Sequence, residues 1–145
     1  MKTIGLFLDK IISGEIQLNK DDRIGLGILD SEKRATQYLE KLLQADDLRI
    51  HCMTDNFDLR ASLNGDTPLD ILILEPLALS EEPSDFLKYI YAANPDMKII
   101  IATAYADEDE IKAYEKLGVY KIMTKPLKPM VIRKDIRELV AEKAR

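Results

Sequence analysis

The chain has 145 residues, enough for one domain with a real hydrophobic core, and 46% hydrophobic with 32% charged residues predicts a soluble globular protein and excludes a disordered one. A formal net charge of −5, from 21 basic and 26 acidic residues, argues against nucleic acid as the main partner, since phosphate binding needs a concentrated basic face. No apolar run reaches the ~20 residues of a membrane span, the opening residues lack a secretory signal, and the lone cysteine, Cys52, excludes an internal disulfide, so a cytoplasmic location is expected.

Residues 3–13 place Ile4, Phe7, Leu8, Ile11 and Ile12 at the spacing of one helical stripe, with Gly14 as a stop. Such a stripe needs burial, either folded back as a cap on the domain or as a docking or dimerisation helix. Residues 1–22 are therefore read as a helix and connector, and residues 23–145 as the main domain.

Ile24–Leu29, I-G-L-G-I-L, is the first predicted strand, ending at Asp30-Ser31. Gly25 and Gly27 weaken it in isolation, so close packing by neighbours has to compensate. Asp30 or Ser31 can cap the next helix, which runs to about Leu43 with Ala35, Tyr38, Leu39, Leu42 and Leu43 on one face. Leu48–Met53 reads as a second strand. His51 and Cys52 sit side by side on it and point to opposite faces, so they do not share a metal; the expectation is an exposed His and a buried Cys. With no second histidine, a nucleophilic triad built on one elsewhere is excluded. Residues 57–63 form a short helix closed by Asn64-Gly65.

Residues 69–75, L-D-I-L-I-L-E, follow Asp66-Thr67-Pro68 and read as a third strand buried on both faces. Ligands of open α/β sheets bind beyond the carboxyl ends of such strands, so Glu75 stands where chemistry is expected. A loop from Pro76 leads to a helix at residues 85–92, with Phe86, Leu87, Ile90 and Tyr91 inward, and a turn at Asn94-Pro95-Asp96. Residues 97–102 are a fourth strand, ending at Thr103-Ala104. An acidic start suits the helix at residues 107–117, and Gly118 ends it. A fifth strand, residues 119–123, precedes Lys125-Pro126 and a last helix carrying Val131, Ile132, Asp135, Ile136, Leu139 and Val140.

Strand and helix alternate five times over short connections, so the strands should be parallel through right-handed crossovers. The expected fold is α/β: a three-layer α/β/α sandwich of flavodoxin type, with a five-stranded parallel sheet in the order 2-1-3-4-5 and an extra N-terminal helix.

The polar residues at the strand ends resemble those of the receiver domain of bacterial response regulators, over roughly residues 23–143. The most specific pieces are I-I-I-A-T-A-Y (residues 99–105) and K-L-G-V-Y-K-I-M-T-K-P (residues 116–126). The resemblance implies a phosphoacceptor Asp after the third strand, held with Mg²⁺ by two acids after the first. It also implies a Thr or Ser after the fourth strand that bonds the phosphoryl group, and a Lys after the fifth that pairs with it. Thr103, followed by Ala104, and Lys125 match, and Asp30 matches the first acid. Ser31 stands at the second acid, Glu75 replaces the phosphoacceptor, and Ile122 stands at the aromatic switch position. Glutamate's extra methylene puts its oxygens about 1.5 Å out of place for phosphoryl transfer. Ser31 removes a carboxylate from a hard-cation site, so Mg²⁺ at Asp30 and Glu75 is expected to be weak or absent, with no other cofactor.

The expectation is thus a pseudo-receiver in two-component signalling. It is not an enzyme, and in it a charged Glu75 reaches Lys125 as a permanent ion pair. By the resemblance, its output surface includes Tyr105, Tyr114, Tyr120, Ile122 and the last helix. No output module follows Arg145, so the partner is a protein: a histidine kinase, an output protein or a second copy, with no nucleic acid bound by this chain and no membrane. Two alternatives stand beside it. One is a working phosphoacceptor receiver, using Asp30. The other is a flavodoxin-like cofactor binder, which needs a Gly/Ser/Thr-rich loop where the chain has D-S-E-K at residues 30–33.

Overall fold

The computed structural model describes residues 22–143, and the expected N-terminal helix lies outside the described residues. The strands are β1 (Ile24–Leu29), β2 (Leu48–Met53), β3 (Ile71–Leu74), β4 (Lys98–Thr103) and β5 (Lys121–Thr124). The helices are α1 (Lys33–Leu43), α2 (Asn56–Leu63), α3 (Pro83–Ala93), α4 (Glu108–Leu117) and α5 (Pro129–Lys143), with a 3₁₀ turn at Pro76–Ala78. All strand pairs are parallel and the sheet order is β2-β1-β3-β4-β5, as expected.

Period-2 alternation sorts the apolar strands into two cores. Ile71, Ile73, Ile100 and Ala102 face α1 and α5, meeting Leu39, Leu43, Ile132, Ile136 and Leu139. Leu72, Leu74, Ile99 and Ile101 face the other way onto Leu59, Phe86, Leu87, Ile90 and Tyr114. Each fully buried Leu or Ile contributes about 1.5–3 kcal/mol. Helices on both faces are why β3 and β4 carry continuous apolar runs.

The β1 glycines are explained by crowding. A Cβ on Gly25 would lie 2.2 Å from the Pro68 carbonyl oxygen, and one on Gly27 would lie 2.9 Å from the Leu69 and Met53 side-chain ends. Asp70 fills the gap before β3: its backbone N–H donates to Gly25 O and its carboxylate accepts from Gly25 N–H, both at 2.8 Å. β3 therefore begins at Ile71 and not at residue 69.

α4 carries a full capping box between Asp107 and Glu110, and Gly118 closes it with φ 92°, a conformation that side chains resist. α1 departs from expectation. It has no side-chain cap; Asp30 Oδ1 accepts from Glu32 N–H just ahead of it, and Ser31 is exposed. Its inner face carries Thr36, whose hydroxyl donates to Lys33 O, while Tyr38 is 51% exposed. The helix is rotated so that a satisfied hydroxyl is buried and the phenol stays wet. His51 is exposed and Cys52 half-buried against the α1 core.

Candidate functional site

Three backbone bonds carry the ladders one residue past the strand ends and anchor the polar residues there. Asp30 N–H donates to Met53 O (3.1 Å), Glu75 N–H to Leu29 O (2.9 Å) and Lys125 N–H to Thr103 O (2.8 Å). Asp30, Glu75 and Lys125 thereby converge on one edge of the sheet, with Asp30 and Glu75 each only 5% exposed.

The Lys125 ammonium lies between the two carboxylates. Its Nζ is 2.5 Å from Asp30 Oδ2 and 3.2 Å from Glu75 Oε1. Burial alone would lower the ammonium's pKa, but the hydrogen bonds and charges of Asp30 and Glu75 outweigh it and raise the pKa, so Lys125 is firmly protonated. The outer oxygens are also engaged: Asp30 Oδ1 accepts from Glu32 N–H at 2.9 Å, and Glu75 Oε2 accepts from Leu77 N–H at 3.4 Å in the 3₁₀ turn. The Lys125-Pro126 peptide bond is cis.

The expected contact of Glu75 with Lys125 is present. The closer bond to Asp30 was not anticipated from the sequence. Thr103 is buried at the end of β4, but its hydroxyl donates to Tyr105 O (3.1 Å) and to neither carboxylate. Ala104 lines a cavity of about 560 Å³ beside the triad. Glu32 lines it too and Ser31 does not; the signal that could have pointed to Glu32 was an acid two positions after Asp30. A hard divalent cation prefers several anionic oxygens free to bind it. Here Asp30 and Glu75 are both committed to Lys125, and among the described residues no three His, Cys, Asp or Glu side chains converge to hold an ion. The residues do not fit a divalent-cation site.

The expected output surface divides. Tyr105 is 74% exposed and Tyr120 is 38% exposed. Tyr114 is not a surface residue: it is the one buried side chain of α4, packed in the core with Phe86 and Leu87. A helix lying on the sheet must bury something, and in α4 Ile111, Ala113 and Leu117 are only half-buried beside Tyr114. Burial, with nearby Glu110 and Glu82, pushes the Tyr114 phenol up to about 12. Ile122 is half-buried against the same core. Among the described residues, no helix is long and apolar enough to cross a membrane.

The family model of the response regulator receiver domain matches residues 26–137. No curated protein matches the sequence. Solved structures with a similar fold include a CheY-like receiver domain protein from Methanospirillum hungatei, with a TM-score of 0.76 at 16% identity, covering 84% of this chain and 97% of that one. A response regulator from Thermotoga maritima gives 0.72 at 17%, covering 82% and 98%. A receiver domain protein from Clostridium thermocellum gives 0.72 at 21%, covering 83% and 97%.

Proposed function

The chain belongs to the response regulator receiver domain family, and from that premise we propose that it is a pseudo-receiver, a protein-interaction module that signals without phosphorylation at the usual position. The observation that carries this reading is the triad: Glu75, at the phosphoacceptor position, is buried and bonded to Lys125 together with Asp30. A receiver's acceptor must present a free carboxylate oxygen in line with the donor phosphorus, beside a metal that neutralises the transferred charge. Glu75 supplies negative charge to Lys125 directly and needs no phosphodonor or Mg²⁺ to do so. The chain then has no enzymatic role. Its output runs through protein contacts, with a kinase, an output protein or a second copy of itself as partner classes.

The test is labelling by acetyl phosphate, read by intact mass. Wild type should remain unmodified. Glu75→Asp, which shortens the arm and restores the family's acceptor, should take up some label, and Glu75→Asp with Ser31→Asp should take up more. One phosphoryl group on the wild type, removed by mild alkaline hydroxylamine as an acyl phosphate would be, would falsify the proposal, and mapping it to Asp30 would favour the alternative phosphoacceptor.

A further inference from the structure

The cavity of about 560 Å³ beside the triad has the size of a small-molecule site, for which about 300–1,000 Å³ is usual. It opens between α1 and the sheet because Ala35 on α1 and Ala102 on β4 are too small to fill the space. Its apolar wall is completed by Ile28, Leu39, Ile73 and Leu127. At its polar end stand two carboxylates, Asp30 and Glu75, against one ammonium, Lys125, and Glu32, whose backbone N–H bonds Asp30, also lines the cavity. Tyr38, half exposed, lines the cavity from α1.

We infer that this cavity binds a small organic cation, an ammonium or amidinium on an apolar body. The apolar body is accommodated by the alanine, leucine and isoleucine side chains. The cationic head meets a polar end whose charge is negative on balance. Each carboxylate oxygen of Asp30 and Glu75 makes one described hydrogen bond or ion pair and has a second acceptor position. A donor-rich head fills those positions, whereas an anion would add to the negative excess. Tyr38, in the lining, supplies an aromatic ring on which a cation or an aryl group can pack. The inference rests on the pseudo-receiver reading, since a Lys125 released from Glu75 and Asp30 would attract an anion instead.

Benzamidine is the probe, titrated into the ¹⁵N-labelled full chain, with benzoate and benzyl alcohol as charge controls. Saturable amide shifts are expected at Ala35, Leu39, Ala102 and Leu127, with a Kd of about 1 mM for a ligand this small. Ala35→Phe fills the hollow and should abolish the shifts. Glu32→Gln, at an exposed position, should weaken binding about two- to fivefold. If Ala35→Phe unfolds, Glu32→Gln and the two controls decide the matter. No saturable shift with benzamidine, or equal binding of benzoate or benzyl alcohol, would overturn the inference. Mass analysis of the same sample after acetyl phosphate separates the two readings. Label on the wild type counts against the pseudo-receiver alone, while absent benzamidine shifts in an unlabelled protein count against the cation site alone.

Discussion

At the residue scale the site turns on one ammonium shared by two buried carboxylates. Removing one partner of a buried pair costs more than the pair itself contributes, because the other charge is left in a dry place. Glu75→Gln keeps the shape and leaves Lys125 with Asp30. The expected loss is about 1–2 kcal/mol, seen as a melting temperature lower by roughly 3–8 °C. The pH dependence has a definite sign. Burial opposes the ammonium, but Asp30 and Glu75 raise its folded-state pKa above the ordinary 10.5. The stabilisation is therefore complete below that pH and is lost as pH rises through the folded value. The difference between wild type and Glu75→Gln should stay level across neutral pH and shrink only on the alkaline side of 10.5. A gap that closes near pH 7 would show that the pair is not what separates the two proteins.

At the element scale β1 is the constrained piece. Its glycines are set by what lies against them, and the two differ in kind. At Gly25 the obstacle is the backbone carbonyl of Pro68, which cannot move without displacing the lead-in to β3. At Gly27 the obstacles are the far ends of Leu69 and Met53, which can change rotamer. Gly25→Ala should destabilise by about 3 kcal/mol or more, the upper end of overpacking costs, and Gly27→Ala by about 1 kcal/mol. Denaturant midpoints at unchanged slope would measure both. The reverse order would mean that the approach of Pro68 to β1 is not the constraint.

At the scale of the whole molecule, α5 closes the domain through the buried Asp135, bonded to Lys121 at 2.8 Å, and through Arg137, paired in two bonds with Asp47. With the triad at the other end of β5, both ends of that strand hold paired charges before any ligand arrives. A Mg²⁺ site with a Kd of about 0.1 mM would stabilise the fold by about 2.7 kcal/mol at a hundredfold excess of metal. We expect Mg²⁺ at that concentration, with or without acetyl phosphate, to move the melting temperature by less than about 1 °C and to leave the amide spectrum near Asp30 and Glu75 unchanged. Stabilisation of the larger size would mean that the carboxylates release Lys125 readily and that a metal site forms after all.

The sequence alone determined the order of elements and the sheet topology, because apolar periodicity, Gly118, Asn64-Gly65 and the short connections are local signals that act over a few residues. It also placed Asp30, Glu75, Thr103 and Lys125 on one edge, since parallel strands all end on the same side. What it could not determine were distances and side-chain directions. That Lys125 bonds Asp30, 95 positions away, more closely than Glu75 depends on where two crossovers set the strands. That Thr103 bonds its own loop, that Tyr114 is core while Tyr105 is surface, and that α1 buries Thr36 and leaves Tyr38 half exposed were decided by helix rotation against the sheet. The cavity is a tertiary feature too: Ala35 and Ala102 lie 67 positions apart in the sequence, and only packing α1 onto the sheet brings two small residues to one hollow.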